Sequence, residues 1–174
     1  ALRTLGAFAN VSAMESFIDE LAEAGNISPI EFRLNHLDNE KATDVIEVLD
    51  EKMKFDDAGR ASGLGAGIAF AQYKNVATYC AVGIEVEIND AAEVILHRAW
   101  IVADAGEVVD PDGLTAQLEG GLIQAASWAL MEQVTYDLSL IHISEPTRRT
   151  PISYAVFCLK KEECGLYEAA LPGC

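Results

Sequence analysis

Basic residues are scarce in this chain of 174 residues. It carries 12 Lys and Arg against 28 Asp and Glu, and its formal net charge is -16 at pH 7. A negative surface repels nucleic-acid phosphates and anionic lipid headgroups. We therefore expect no nucleic acid and no membrane surface among its partners, and the charge favours small molecules or other proteins.

Long apolar runs are absent as well. No stretch approaches the roughly 18 apolar residues that a membrane span needs, and no basic segment followed by an apolar one resembles a signal peptide. The sequence thus predicts no membrane span, and we expect a cytoplasmic location, with the periplasm as the alternative. Because it begins ALRT without an initiator Met, we expect the interior of a longer protein.

Few side chains suit metal binding or nucleophilic catalysis. His36 and His97 are the only histidines before residue 138, and no H-E-x-x-H, C-x-x-C or G-x-S-x-G motif occurs. We therefore predict no metal bound directly by protein side chains and no hydrolase chemistry. Cys80 is the only cysteine before residue 138, and its alternating surroundings predict a small buried hydrophobe rather than a reactive thiol.

The end of the chain does not resemble selected protein sequence. LSLIHISEPTR at residues 138–148 is the translation of the mosaic end and adapter of a transposase-based sequencing library. ISYAVFCL at residues 152–159 matches the flow-cell primer, and residues 149–151 occupy the place of the sample index. We therefore expect residues 1–137 to be a partial domain and residues 138–174 to be a non-native, irregular tail with few core contacts.

Three helices are predicted in the first third of the chain. Ser12 and Glu15 form an S-x-x-E capping box for a helix over residues 11–24 that ends at Gly25 and Asn26. Pro29 occupies the first position of a second helix, and a third follows Thr43. The apolar positions that face inward are Val11, Met14, Phe17, Ile18, Leu21, Ile30, Leu34, Leu37, Val45, Ile46, Leu49 and Met53.

The hydrophobic period changes to two after the polar segment 56–67, which predicts strands. Residues 80–88 and 94–102 alternate as the arms of a hairpin around a turn at 89–92, with Glu85 and Glu87 facing solvent. A G-x-G-x-G at residues 63–67 enters a strand rather than a helix, which favours a flexible entry loop over a phosphate-binding loop. Helices segregated from an antiparallel hairpin predict an α+β fold.

A helix of small residues is predicted over residues 114–132, after a proline turn. Gly120 and Gly121 are adjacent in it and cost about 1 kcal/mol each relative to Ala. Close backbone packing or the close approach of a ligand would offset that cost. Gln117 and Gln124 share one face and offer amide edges to a heterocycle, although a solvated face explains them equally well. We expect this helix to pack on the hairpin, because neither has another apolar partner of similar length.

Several blocks of residues 1–137 together form a family pattern. They are ALRTLGAFAN at 1–10, MESFIDELA at 14–22, SPIEFRLNHL at 28–37, GIAFAQYKN at 67–75, GIEVEIND at 83–90, then DAG, DPDG and QLEGGLIQ. In order and spacing they resemble the molybdopterin-binding large subunits of the xanthine dehydrogenase and aldehyde oxidase family. The likeness is greatest to shorter bacterial large subunits, such as isoquinoline and nicotinate oxidoreductases.

This resemblance implies a set of site residues. Arg3 corresponds to an arginine beside the molybdopterin, and Gln117 to a glutamine that bonds the pterin. Leu5 corresponds to a position lining the substrate pocket, where purine-oxidising members have an aromatic residue, so xanthine is a poor substrate candidate. We expect Arg3, the turn at Gly6 and Gln117 to converge on one concave, partly polar surface that binds the cofactor.

The resemblance also implies a reaction and its partners. The family hydroxylates aldehydes or N-heteroaromatic compounds and passes electrons to iron-sulfur clusters on a small subunit, in some cases with a further electron-transfer subunit. The family's catalytic glutamate lies in a G-E-x-P motif that this sequence does not contain, so no catalytic residue is assigned and the fragment is expected to be inactive alone. A noncatalytic α+β protein-interaction module, with glycines that serve packing, is the alternative.

Overall fold

The computed structural model describes residues 6–54, 63–74 and 77–131, together with the backbone of four short strands beyond them. The elements in chain order are α1 (Ala7–Gly25), α2 (Pro29–His36), α3 (Glu40–Met53), β1 (Leu64–Tyr73), β2 (Ala77–Ile88), β3 (Val94–Asp104), α4 (Pro111–Leu130), β4 (Thr135–Tyr136), β5 (Ile143–Ser144), β6 (Cys158–Lys161) and β7 (Leu166–Leu171). The predicted α+β class is confirmed.

An antiparallel sheet carries the fold. Its strand order is β1-β2-β3-β7-β6, and β4 pairs separately with β5. The predicted hairpin is the pair β2 and β3, whose register runs from Tyr79 opposite Asp104 to Ile88 opposite Val94. Asn89 closes the turn, because its side-chain oxygen accepts hydrogen bonds from the backbone N–H groups of Ala91 and Glu93.

The larger core lies between the sheet and the helices α2 and α3. Its buried members are Ile30, Val45, Ile46, Leu49, Met53, Ile68, Ala81, Trp100 and Val102, with Leu34 and Leu37 packed at its border. The predicted apolar stripes of α2 and α3 are therefore confirmed, although α3 begins at Glu40, before Thr43. Gly83 on β2 lets α3 approach, since a Cβ there would lie 2.5 Å from Sδ of Met53.

A smaller core lies on the opposite face of the sheet, under α4. Ala99, Ile101 and Leu122 are buried there, and Cys80, Val82, Ile84 and Leu118 pack around them. The hairpin therefore does pack beneath α4, as expected, but its other face is covered by α3. This is why five consecutive residues of β3, from Ala99 to Ala103, are buried. Alternation in the sequence shows which side chains share a face but not which helix covers it.

The first helix differs from its prediction in start and in orientation. It begins at Ala7, so Ser12 lies inside the helix and the predicted capping box does not form. Glu15 is instead buried against Arg33, while the supposedly inward Met14 and Phe17 are exposed. The predicted end is confirmed, because Asn26 adopts a left-handed conformation at φ 51° and its N–H bonds the last turn.

The predicted solvent exposure of Glu85 is also wrong. A bulge shifts the register after Glu85, so that Glu85 faces Arg98 while Val86 faces Leu96 and His97 is the extra residue. The Glu85 carboxylate is buried beside the larger core, and Nε of Arg98 donates a hydrogen bond of 2.8 Å to it. The arginine compensates the carboxylate's loss of water.

The expectation of an irregular tail with few core contacts stays a prediction, although the backbone of two of its segments is described as strands. The backbone of β7 pairs with β3 from Ala99 to Asp104, and β6 pairs with β7. The free edge of β3 offers unpaired N–H and C=O groups, and such an edge accepts extended backbone with little regard to side chains. Strand pairing therefore does not decide the proposed domain boundary at residue 137, which stays a prediction.

Candidate functional site

Two of the four predicted site residues, Gly6 and Gln117, lie near the starts of helices. Gly6 directly precedes α1, and Gln117 lies exposed on the second turn of α4. Arg3 and Leu5 lie outside the described residues, so their predicted roles beside the cofactor and in the substrate pocket stay predictions. The described part of the candidate site therefore consists of α4 and the start of α1.

The turn that leads from β3 to α4 is held by Asp104. Its Oδ2 accepts a hydrogen bond of 2.8 Å from Nζ of Lys41 on α3, and its Oδ1 accepts one of 2.7 Å from the N–H of Gly106. The glycine has φ +73°, a conformation that favours glycine. The hydrogen bond to Asp104 raises the pKa of Lys41. Burial raises the pKa of Asp104, but the bonds from Lys41 and Gly106 outweigh it and lower that pKa.

The D-P-D-G sequence that follows begins α4. The Oδ1 atom of Asp110 caps the helix by accepting from the N–H of Gly113 at 3.0 Å, and Pro111 occupies the first helical position. A Cβ on Gly113 would meet the Asp110 carboxylate, which would have to shift to make room for it. Together with the Asp104 turn, this cap fixes the direction in which α4 leaves the sheet.

The outward face of α4 combines two glutamines with an open glycine position. Gln117, Gly121, Gln124 and Trp128 follow each other at intervals of four, three and four residues and so share one face, away from the buried Leu122. Within the described part of the chain, nothing lies within 4 Å of the Cβ position of Gly120 or Gly121. Packing inside the described chain therefore does not explain the two glycines, which leaves the approach of something outside it.

One residue in the first turn of α1 contacts the same face of α4. The ring of Phe8 contacts the ring of Trp128 edge to face, with centroids 5.5 Å apart and an interplanar angle of 88°. Trp128 follows Gln117 by 11 residues, which corresponds to about 16 Å along the helix. Gly6 and Gln117 therefore lie toward opposite ends of one helix face, with the open glycine pair between them.

The first turn of α1 has features that favour an anion. Gly6 provides no side-chain hydrogen bond to cap the helix, and no acidic residue lies in the first turn. The free N–H groups and the positive end of the helix dipole favour negative charge at such a position. Arg3 is close to this turn in sequence, and its predicted role beside the cofactor agrees with that polarity.

A buried ion pair fixes α1 in place. Nε and Nη2 of Arg33 donate to Oε2 of Glu15 at 3.0 and 2.9 Å, and the same oxygen accepts from the N–H of Phe70 on β1 at 2.7 Å. Nη1 of Arg33 donates to the carbonyl oxygen of Pro29 and lies 2.8 Å from Oδ1 of Asp19. We call this set of contacts the Glu15–Arg33 clasp. It joins α1, α2 and β1, and sequence reasoning missed it. The one signal in the sequence was the spacing of Glu15, which precedes Ile18 by three residues and Ala22 by seven and so shares their helix face.

The described residues contain neither a candidate metal site nor a candidate membrane-spanning helix. No group of three His, Cys, Asp or Glu side chains there is arranged to hold a metal ion. His97 lies 2.5 Å from Oε2 of Glu87, and His36 stacks on Phe32. No helix in the same part of the chain is long and apolar enough to cross a membrane.

Comparison with known proteins identifies the family of the chain. Residues 8–160 match the model of a family described as the molybdopterin cofactor-binding domain. The beta subunit of isoquinoline 1-oxidoreductase from Brevundimonas diminuta is 36% identical over 76% of this chain and 17% of its own length. A nicotinate dehydrogenase subunit from Pseudomonas putida is 33% identical over 83% of this chain and 13% of its own length.

A third similar protein is named as an aldehyde dehydrogenase. The membrane-bound aldehyde dehydrogenase [pyrroloquinoline-quinone] of Gluconacetobacter polyoxogenes is 28% identical over 68% of this chain and 18% of its own length. The chain thus spans less than a fifth of these relatives, whose names refer to different substrates. The family match, which covers most of the chain, confirms the resemblance seen in the sequence: the chain belongs to the molybdopterin cofactor-binding domain family of xanthine dehydrogenase type.

Proposed function

We propose that the chain is part of the cofactor-binding region of a molybdenum hydroxylase large subunit and that the outward face of α4 contacts the molybdopterin. The observation that carries this proposal is the open face itself. Gln117 is exposed there, and the space above Gly120 and Gly121 is free of other described atoms. The Asp104 turn and the Asp110 cap hold that face in a fixed direction.

The chemistry of these residues suits the cofactor. A pterin is a flat heterocycle with donors and acceptors along its edge, and the amide of Gln117 offers both. Two glycines let a flat ring approach the helix backbone more closely than any side chain allows. The phosphate end of the cofactor suits the uncapped first turn of α1 and the cation of Arg3.

The division of labour follows from the residues present. When bound, the cofactor supplies the molybdenum centre at which an electron-poor carbon of the substrate is hydroxylated. The described residues bind and orient that group, and none is assigned as the catalytic base. Leu5 lines the substrate pocket in this proposal, which favours an aldehyde or a small N-heteroaromatic compound over a purine.

The remaining parts of the proposal concern the whole enzyme. Its electrons leave through iron-sulfur clusters on a partner subunit, with a further electron-transfer subunit as an alternative arrangement. Two relatives are themselves named as subunits, which supports an assembly of this kind. The 174-residue chain is expected to show no turnover alone, and we place the intact enzyme in the cytoplasm, with the periplasm as the alternative.

Cofactor retention tests the proposal. The chain is expressed in a host that makes the molybdenum cofactor, and the pterin that copurifies is oxidised and measured by its fluorescence. Gln117→Leu removes the amide at nearly constant helix propensity, and we expect it to lower the bound pterin at least several-fold. Ala129→Leu adds the same side chain at an exposed position in the last turn and serves as the control.

Two results would count against the proposal. Absence of pterin from the folded wild-type chain would favour the noncatalytic interaction module. Equal retention by wild type and Gln117→Leu would remove the role of α4 while leaving family membership intact. Circular dichroism of each variant shows whether a lost pterin reflects a lost fold.

A further inference from the structure

An apolar stripe on α1 has no partner in the described structure. Met14, Phe17 and Leu21 are spaced by three and four residues, so they share one helix face, which we call the α1 stripe. Their exposed fractions are 63%, 58% and 41%. Isolated exposed apolar residues are common on proteins, but three large ones in register on one helix form a continuous surface.

The α1 stripe cannot turn inward while the Glu15–Arg33 clasp holds. Glu15 and Ala22 face the body of the protein, and Glu15 is bonded both to Arg33 and to the backbone of Phe70. Rotating α1 to bury Phe17 would break this buried pair and leave one charge without its partner. The polar contacts of the helix therefore keep its apolar side outward.

We propose that the α1 stripe is a docking surface for an apolar protein surface rimmed by Lys or Arg, which the rest of the large subunit supplies. This inference rests on the proposed function for its choice of occupant. The helix has four acidic residues and no Lys or Arg in AFANVSAMESFIDELAEAG. Arg33 pairs with Glu15 and Asp19, whereas Glu20, three residues after Phe17, stays exposed at the border of the stripe. A basic rim complements this border charge and the acidic character of the whole helix.

A second copy of the chain is a poor occupant by comparison. Two such surfaces would bring acidic helices together in a chain whose net charge is -16. The three exposed side chains offer roughly 300 Å², and a stable interface needs about 800 Å² from each partner. A contact of this size holds best as one part of a larger assembly, and the chain spans only 13–18% of its relatives' length.

Methyl NMR on the full 174-residue chain tests the docking surface. The chain has three methionines, of which Met14 is on the stripe, Met53 is buried and Met131 is exposed by 52% at the end of α4. The probe is a helical peptide of about 18 residues with a leucine face and a lysine rim. Its counterpart has the same leucine face and a glutamate rim.

We expect the lysine-rimmed peptide to shift the Met14 methyl signal and to leave those of Met53 and Met131 unchanged. Phe17→Ser should weaken binding at least about tenfold. Ile88→Ser is the matched control, because Ile88 is 66% exposed and lies far along the chain in the hairpin. The glutamate-rimmed peptide should bind at least about tenfold more weakly than the lysine-rimmed one.

Four results would overturn the inference: no binding, equal shifts of Met14 and Met131, equal binding of both peptides, or full affinity in Phe17→Ser. A Met14 signal that moves with protein concentration alone would assign the surface to a second copy instead. None of these measurements involves the cofactor. Loss of docking with pterin retained therefore rejects this inference alone, and the reverse result rejects only the proposed function.

Discussion

Replacing both α4 glycines with alanine should make the protein more stable and lower its affinity for the cofactor. Alanine favours a helix interior over glycine by about 1 kcal/mol at each position. Apart from the backbone of the helix itself, no described atom lies within 4 Å of either added methyl group, so no clash opposes that gain. Gly120→Ala combined with Gly121→Ala should therefore raise the free energy of unfolding by about 2 kcal/mol.

The same two methyl groups would stand in the space that the pterin is proposed to occupy. We expect the double variant to retain roughly tenfold less pterin, which corresponds to about 1.4 kcal/mol of binding free energy. Urea denaturation measures the stability, and the fluorescence of the oxidised pterin measures retention. Higher stability together with lower pterin retention would show that the glycines serve a ligand and not the packing of the helix.

Gly83→Ala is the control, because we expect it to lower the free energy of unfolding rather than raise it. Its added methyl group would meet Sδ of Met53 at 2.5 Å and Cδ1 of Leu49 at 3.2 Å, so it should destabilise the protein by about 1–3 kcal/mol. The reasoning about α4 would be refuted if the alanine pair lowered stability. A more stable variant with undiminished pterin would show that the glycines do not serve the cofactor.

Three further predictions concern buried or paired groups. Arg33→Met leaves the Glu15 carboxylate buried without its cation and should cost about 3–5 kcal/mol in urea denaturation, with Glu15→Leu added to Arg33→Met recovering most of it. Burial raises the pKa of the Cys80 thiol to about 11. Its contribution to stability is therefore complete below pH 9 and is lost as the pH rises through 11, by about 3 kcal/mol, and Cys80→Ala should abolish that loss. The pKa of Asp104 is lowered, so the contribution of its pair with Lys41 is lost as the pH falls below the ordinary carboxyl range. Lys41→Met should therefore speed amide exchange in the turn that follows β3 at neutral pH, and 1 M salt should reduce the difference.

Local signals in the sequence predicted much of the fold. The stripes of α2 and α3, the helix end at Asn26 and the first helical position of Pro29 all depend on contacts within a few residues along the chain, and the structure confirms them. The start of α3 was placed too late, because Asn39 caps it and the small Ala42 is the only apolar residue in its first turn. Alternation likewise predicted the hairpin, but not the bulge at His97 that turns Glu85 inward.

The candidate site depended more on contacts between distant parts of the chain. The sequence left packing and ligand approach as equal explanations for Gly120, and the open space above it excludes packing by the described residues. The contact between Phe8 and Trp128 joins residues from opposite ends of the described chain, and no periodic pattern predicts it. The resemblance to a family named Gln117, but only the structure shows that its face continues toward the start of α1.

Buried carboxylates explain why the orientation of α1 was predicted wrongly. An apolar stripe normally faces the core because burying it removes apolar area from water. Here Glu15 forms bonds with Arg33 and with Phe70, which is 55 residues away in sequence. Rotating α1 to expose Glu15 would leave the guanidinium of Arg33 buried without its carboxylate. The free-energy cost of that unpaired charge exceeds the cost of leaving the apolar stripe exposed to water. Glu15 and Glu85 are two among 28 acidic residues, and what distinguishes them is an arginine placed by tertiary structure. In this acidic chain the position of the buried Arg33 therefore decides which face of α1 is left for another surface to cover.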